Sequence, residues 1–212
     1  YPLVTGVQTC ALPILGLGRP VSFTATAAAG YRFGGWTVNG APAGTANPLV
    51  TTATQGLQVE ASFISELDAW RLANLGTASA EGTAADDANP SGDGITNLEK
   101  FAFGLDPGVA SRRRVEISGS TLVARGLPVV SQGWQGDAER RVLRFVRRTG
   151  NAAEGIVYVP QFSADLAGWA DATDAPLVVA GDADFEVVEV PFPASIAGAD
   201  AAFARVNVAV KR

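Results

Sequence analysis

The brevity of its apolar runs constrains this chain more than any other feature. From residue 111 onward, strand-like runs recur at 115–118, 121–124, 142–148, 156–162, 177–180, 185–190 and 203–210. Turn-forming residues separate them, among them Gly119-Ser120, Thr149-Gly150-Asn151 and Gly181-Asp182. Alternation with period two sends successive side chains to opposite faces of a sheet, and turns this closely spaced leave little room for long helices. Seven such runs within residues 111–212 predict an antiparallel β-sandwich. In the last run Ala204, Val206, Val208 and Val210 share the face expected to meet the core. Phe203, Arg205, Asn207 and Ala209 share the other. The 24 Gly and 12 Pro fit this density of turns. No apolar stretch approaches the roughly 18 residues of a membrane helix, so no membrane insertion is expected here.

Residues 15–63 follow the same logic on a smaller scale. Val21, Phe23 and Ala25 alternate, Gly30 interrupts, and Tyr31, Phe33 and Trp36 add large apolar area, with Gly34-Gly35 allowing a bulge between them. Asn39-Gly40 is a strong two-residue hairpin signal. Leu57, Val59 and Ala61 alternate again before Phe63. A small antiparallel β-module is expected, with Tyr31 and Trp36 in its core rather than stacked on a sugar.

Within this module Thr24, Ala25, Gly30, Tyr31, Phe33, Trp36, Asn47, Pro48, Val59, Ala61 and Phe63 resemble the divergent internalin B-type repeat of bacterial surface proteins. The resemblance implies a secreted or cell-surface setting, and a strand or two upstream of residue 15. Residues 4–14, VTGVQTCALPI, resemble instead the translation of a short-read sequencing adapter in one frame. Residues 1–14 are therefore expected to be an artefact, the β-repeat over 15–63 to be truncated, and Cys10 to have no role as a thiol.

Charge is unevenly distributed. Residues 1–63 carry a net +1, residues 64–110 a net −6, and residues 111–212 balance. No basic footprint for nucleic acid is present. The chain contains no His, which excludes a Ser-His-Asp triad, a Cys-His pair and His-based zinc sites within it.

The acidic middle, residues 64–110, is expected to be a helix–loop–helix linker. Ser65 can cap a helix with Asp68 three residues on, Leu67, Trp70 and Leu75 supply an apolar side, and Gly76 stops it. Further along, Asn89, Ser91, Asp93 and Asn97 fall at positions 1, 3, 5 and 9 of a twelve-residue calcium loop. Gly94 lies at the turn position, and Ile95 can offer its carbonyl at position 7. Position 12, which should bring a bidentate carboxylate, is Lys100. Only Asp93 among these side chains is charged, so calcium would bind weakly or not at all unless Asp86, Asp87 or Glu99 substitutes. The other reading is a loop held by glycine turns and polar caps, with Leu98, Phe101, Ala102 and Leu105 packing a short helix. Gly92, Asp93, Gly94, Asn97, Gly104, Asp106 and Pro107 resemble thrombospondin type 3 and dockerin-like linkers of bacterial envelope proteins. Asn89, Ser91 and Lys100 depart from their calcium-binding form.

In residues 111–212 the stretch Ser163, Asp165, Leu166 and Trp169 resembles the S-x-D-L-x-x-W motif of C-terminal β-modules in Verrucomicrobia-like surface proteins. Arg147-Arg148 and Phe203-Ala204-Arg205 belong to the same resemblance. Asp165 is expected to form a turn rather than serve as a catalytic acid. Arg144 and Arg148, interleaved with Val142 and Val146, are expected on a solvated strand face. Trp134 is the aromatic expected to be exposed, as a ligand-stacking residue or a loop anchor. No catalytic constellation and no cofactor beyond weak calcium is expected. The leading expectation is a non-catalytic structural or adhesive C-terminal region of a larger bacterial surface or secreted protein, partnered by cell-envelope glycan or protein. The alternative is a carbohydrate-binding appendage of a secreted hydrolase whose catalytic domain lies upstream.

Overall fold

A computed structural model describes residues 17–135, 138–197 and 202–211, with backbone alone at 134, 135, 138, 139 and 197. The adapter-like stretch 4–14 and the side chain of Trp134 lie outside the described residues. The described residues divide into two compact units, one within 17–27 and 33–63, the other within 28–32 and 64–211. The chain is mainly β, with several antiparallel sheets and a few short helices.

In the first unit β1 (Pro20–Phe23) pairs with β4 (Leu49–Thr52). A second sheet places β2 (Tyr31–Val38) between β3 (Ala41–Gly44) and β5 (Val59–Ser65). The β2–β3 turn is the expected Asn39-Gly40, both residues at positive φ (51° and 79°), which matches the right-handed twist of paired strands. The Asn39 side chain accepts from Gln58 N at 2.9 Å and so ties the turn to the entry of β5. The register shifts between Trp36 and Thr37, just past Gly34-Gly35. Two residues of the repeat pattern, Ala25 and Asn47, grip each other. The Asn47 amide donates to Ala25 O at 2.7 Å and accepts from Ala25 N at 3.0 Å.

Trp36 is buried, its indole N–H donating to Ala46 O at 2.9 Å and its ring 5.2 Å from Phe33. Tyr31 is not a core residue as expected: it is 37% exposed.

Among the described residues the second unit holds nine strands: β6 (Glu116–Ser118), β7 (Thr121–Ala124), β8 (Val129–Gln135), β9 (Ala138–Arg148), β10 (Ile156–Ser163), β11 (Ala170–Asp171), β12 (Leu177–Gly181), β13 (Phe185–Pro191) and β14 (Phe203–Val210). They form a six-stranded sheet in the order β6-β7-β12-β13-β9-β8 and a three-stranded sheet in the order β11-β10-β14. Pairing is antiparallel except for the contact of β12 with β7, Gly181 opposite Thr121. The large sheet curls. Leu127, leading into β8, donates to Arg113 O at 2.8 Å and accepts from Val115 N at 3.0 Å, so the two outer strands meet at one end.

Both faces of β9 and β13 are buried, which is why Val142-Leu143 and Val187-Val188 are doubly apolar rather than alternating. Leu143, Phe145, Val188 and Val190 pack with Phe162, Phe192, Ala204 and Val206. Val146, Phe185 and Val187 pack with Val115, Ala180 and Phe103. The expected inner face of β14 is realised at Ala204, Val206 and Val208, whereas Val210 is 38% exposed.

Residues 64–110 are not a separate linker. Helix α1 (Glu66–Leu75) is capped as expected, Ser65 Oγ accepting from Asp68 N at 3.0 Å and Gly76 closing it in the left-handed region. A 3-10 turn, Gly82–Ala84, leads to α2 (Asn97–Phe103), whose Thr96 and Glu99 form a reciprocal capping box. Leu67, Phe101 and Ala102 then share a buried cluster with Ile156 of β10. Two short helices, α3 (Gly150–Glu154) and α4 (Ala194–Ala197), complete the described elements. Among the described residues no helix is long and apolar enough to cross a membrane.

Candidate functional site

The loop that resembles a calcium site closes around an ammonium. Lys100 is fully buried, and its Nζ lies 2.5 Å from Ser91 Oγ, 2.9 Å from Asp93 Oδ2, 2.9 Å from Val109 O and 3.2 Å from Asp106 O. It reaches them because α2, capped by Thr96, projects position 12 of the loop back over its own turn, while residues 105–109 return across the end of the helix. Asp93 is saturated. Its Oδ1 accepts from Ile95 N and its Oδ2 from Ser111 N and Lys100. The Ser111 N–H in first place, with the Lys100 ammonium beside it, holds this carboxyl well below the usual carboxylate range.

The five residues expected to face one cation divide. Ser91 and Asp93 meet at Lys100. Asn89 turns to Ser91, accepting from its hydroxyl at 3.3 Å. Asn97 points elsewhere, its amide donating to Thr83 O at 2.8 Å and Ala85 O at 2.9 Å. Ile95 is buried, and its N–H serves Asp93. Of the three substitutes, Asp86 pairs with Arg71, Glu99 belongs to the capping box, and Asp87 is exposed. Calcium takes about six to eight oxygens, and these residues do not fit it, because a positive charge already stands at the point of convergence.

Arg71 repeats the device. It is 3% exposed and is held by Asp68 and Asp86. Arg71 and Lys100 are the two basic residues of the acidic stretch 64–110, and both are buried among its carboxylates.

In the sandwich, Arg144 and Arg148 are not on a solvated face. Val142, Arg144, Val146 and Arg148 are two residues apart in turn, so a strand places all four on one face, and that face is interior. Arg144 meets the buried Glu189 through Nε at 2.8 Å and Nη2 at 2.5 Å to the same oxygen. Arg148 lies between the rings of Phe101 and Phe185, at 3.7 and 4.7 Å from their centroids. An open groove of about 780 Å³ runs past Arg147, Arg148, Thr149, Asn151, Tyr158 and Lys211. Its cations are engaged, Arg147 by Glu186 and Lys211 by Glu154.

The Ser163–Trp169 motif is a turn. Asp165 Oδ1 accepts from Ala167 N at 2.9 Å and Gly168 N at 3.0 Å, while Ser163 Oγ accepts from Leu166 N at 2.9 Å. The Gly168 and Ala167 N–H groups, with the Ser163 hydroxyl, pull the Asp165 carboxyl down. Leu166 takes a positive φ (66°). Trp169 donates to Leu166 O at 3.2 Å, and Arg205 lies 4.1 Å over its ring. Gln161 bridges Arg205 to Asp171. Sequence reasoning missed this cluster, though the facing of Arg205 toward solvent in the period-two pattern of β14 pointed to it.

Compared with known proteins, residues 7–66 match the family model of the divergent InlB B-repeat domain. The match begins inside the adapter-like stretch 4–14 and ends at the start of α1. No curated protein and no solved structure matches the chain.

Proposed function

We propose that this chain is a non-catalytic structural or adhesive region of a larger bacterial surface or secreted protein, exposed at the cell surface or outside the cell. The observation that carries this reading is the InlB-type repeat over residues 7–66, since such repeats are common in bacterial surface proteins. The chemistry of the second unit supports it. Titratable groups displaced from their ordinary range, namely Asp93, Arg148, Tyr158, Asp165 and Asp182, are each engaged with backbone groups. Catalytic acids and bases are displaced too, but they keep a proton to exchange and a cleft to exchange it in.

The carbohydrate-binding alternative requires an aromatic face free for a sugar ring. Arg205 covers one face of Trp169, and Trp36 is interior.

The test uses the whole chain coupled to beads. Retention on envelope glycan or protein preparations, with no turnover across glycoside, ester and peptide substrates, is the expected result. Turnover abolished by changing one Asp or Glu would sink the reading. Saccharide-specific retention lost in Trp169→Ala would replace it with the alternative.

A further inference from the structure

We infer that Lys100 is the resident cation of the loop around Asp93: its ammonium takes the place of a divalent ion, and the loop closes without metal. The argument begins with charge. In a calcium loop of this spacing, a divalent ion and the carboxylate at position 12 together contribute one positive charge. A lysine at position 12 contributes the same single charge in one covalently attached group. Charge at the centre is conserved while the metal is dispensed with.

Geometry agrees. Four oxygens converge on Nζ within 3.2 Å, two from the loop side chains Ser91 and Asp93 and two from the carbonyls of Asp106 and Val109. The group at their centre is fully buried. A buried ammonium is tolerated only when its donors are satisfied and a negative charge lies beside it, and both conditions are met here. The ammonium also ties two stretches that a metal would otherwise join, the loop at 91–93 and the return at 106–109. Asp93 extends the tie to Ser111 and, through its carbonyl, to Arg112 at 2.7 Å. The path runs directly into β6 of the sandwich. The fold of residues 89–112 is therefore set without regard to the calcium content of the medium.

Two lysines occur in the chain, which makes the test clean. Lys211 has a side chain 58% exposed, whereas that of Lys100 is 0% exposed. In native buffer an amine-acylating reagent, followed by peptide mass mapping, is expected to modify Lys211 and to reach Lys100 only after denaturation. Labelling of Lys100 at the rate of Lys211 would overturn the inference. Melting of the full chain is the second arm. The wild type is expected to melt at the same temperature in chelator and in about 1 mM calcium, a concentration that serves weak extracellular sites. Lys100→Met should melt lower, with no recovery by calcium. Lys100→Glu should melt lower in chelator and rise with calcium. A wild type that rises with calcium, or a folded Lys100→Glu indifferent to it, counts against the ammonium standing in the metal's place. Should Lys100→Glu fail to fold, the labelling comparison decides.

Discussion

The guanidinium of Arg148 lies 3.7 Å over the ring of Phe101 while its Nε donates to the carbonyl of that same residue at 2.7 Å. One side chain of β9 thus holds both the ring and the backbone of α2. Burial disfavours the charged form of Arg148, and the two aromatic faces and the carbonyl offset that cost. Arg148→Met should cost about 2–4 kcal/mol, combining a lost charged hydrogen bond with lost cation–π contact. Arg148→Lys should recover little, because an ammonium cannot stack and donate in one plane. Urea denaturation checks both, as a lower midpoint with unchanged slope.

Tyr158 makes the neighbouring tie, its hydroxyl donating to Ala102 O at 2.9 Å and accepting from Arg148 N at 3.2 Å. Burial pushes its phenol up to about 12. An unfolded phenol titrates near 10, so above that pH the unfolded chain releases a proton that the folded chain keeps. This contribution is complete below pH 10 and disappears as pH rises toward 12. Tyr158→Phe should cost about 1–3 kcal/mol near neutrality. It should also flatten the alkaline fall in melting temperature relative to wild type.

Glu189 is 3% exposed and depends on Arg144. Removing one partner strands the other. Glu189→Ala should cost about 3–5 kcal/mol, whereas replacing both by leucine should cost much less. A double-mutant cycle on chemical denaturation measures the difference, and a double-variant loss equal to the sum of the two single-variant losses would show the pair to be uncoupled.

Gly126 sits where the curled sheet meets itself. A Cβ there would stand 2.7 Å from the Arg114 carbonyl carbon, with the Arg113 carbonyl also in the way. Backbone cannot give as a side chain can. Gly126→Ala should cost about 2–3 kcal/mol and expose the amides of Val115 and Leu127 to hydrogen exchange. Unchanged protection at those amides would refute the account.

Asp93 links the loop to acid stability. Its carboxyl is held low by the Ser111 N–H and by Lys100, so its contribution is complete above the ordinary carboxylate pKa of about 3.9 and is lost as pH falls below it. Asp93→Asn should melt lower than wild type at neutral pH and lose less on acidification to about pH 3. Parallel acid profiles would contradict this.

Much of the fold is legible in residues read singly or in pairs. The Asn39-Gly40 turn, the Ser65 cap with its Gly76 stop, the turn made by Asp165 and the inner face of β14 each follow from local rules whose partners lie a few positions away. β8 was not legible, because Ser131, Gln132 and Gly133 interrupt its apolar alternation and only its pairing with β9 makes it a strand. Arg148 was misplaced for a related reason: composition marks a residue as charged, while parity along the strand decides which face receives it.

The amino-acid order alone determined that this chain forms short strands joined by tight turns, with an acidic stretch shaped like a calcium loop. Local backbone preference and side-chain periodicity are properties of neighbours, and neighbours are written in the order. Which charge fills that loop was decided in three dimensions. Lys100 looks like a missing ligand when counted along the chain, and becomes the cation only when α2 and the return through Val109 carry four oxygens to its tip. Electrostatic partners separated by many residues are chosen by packing, and packing is complete only when the whole unit has folded.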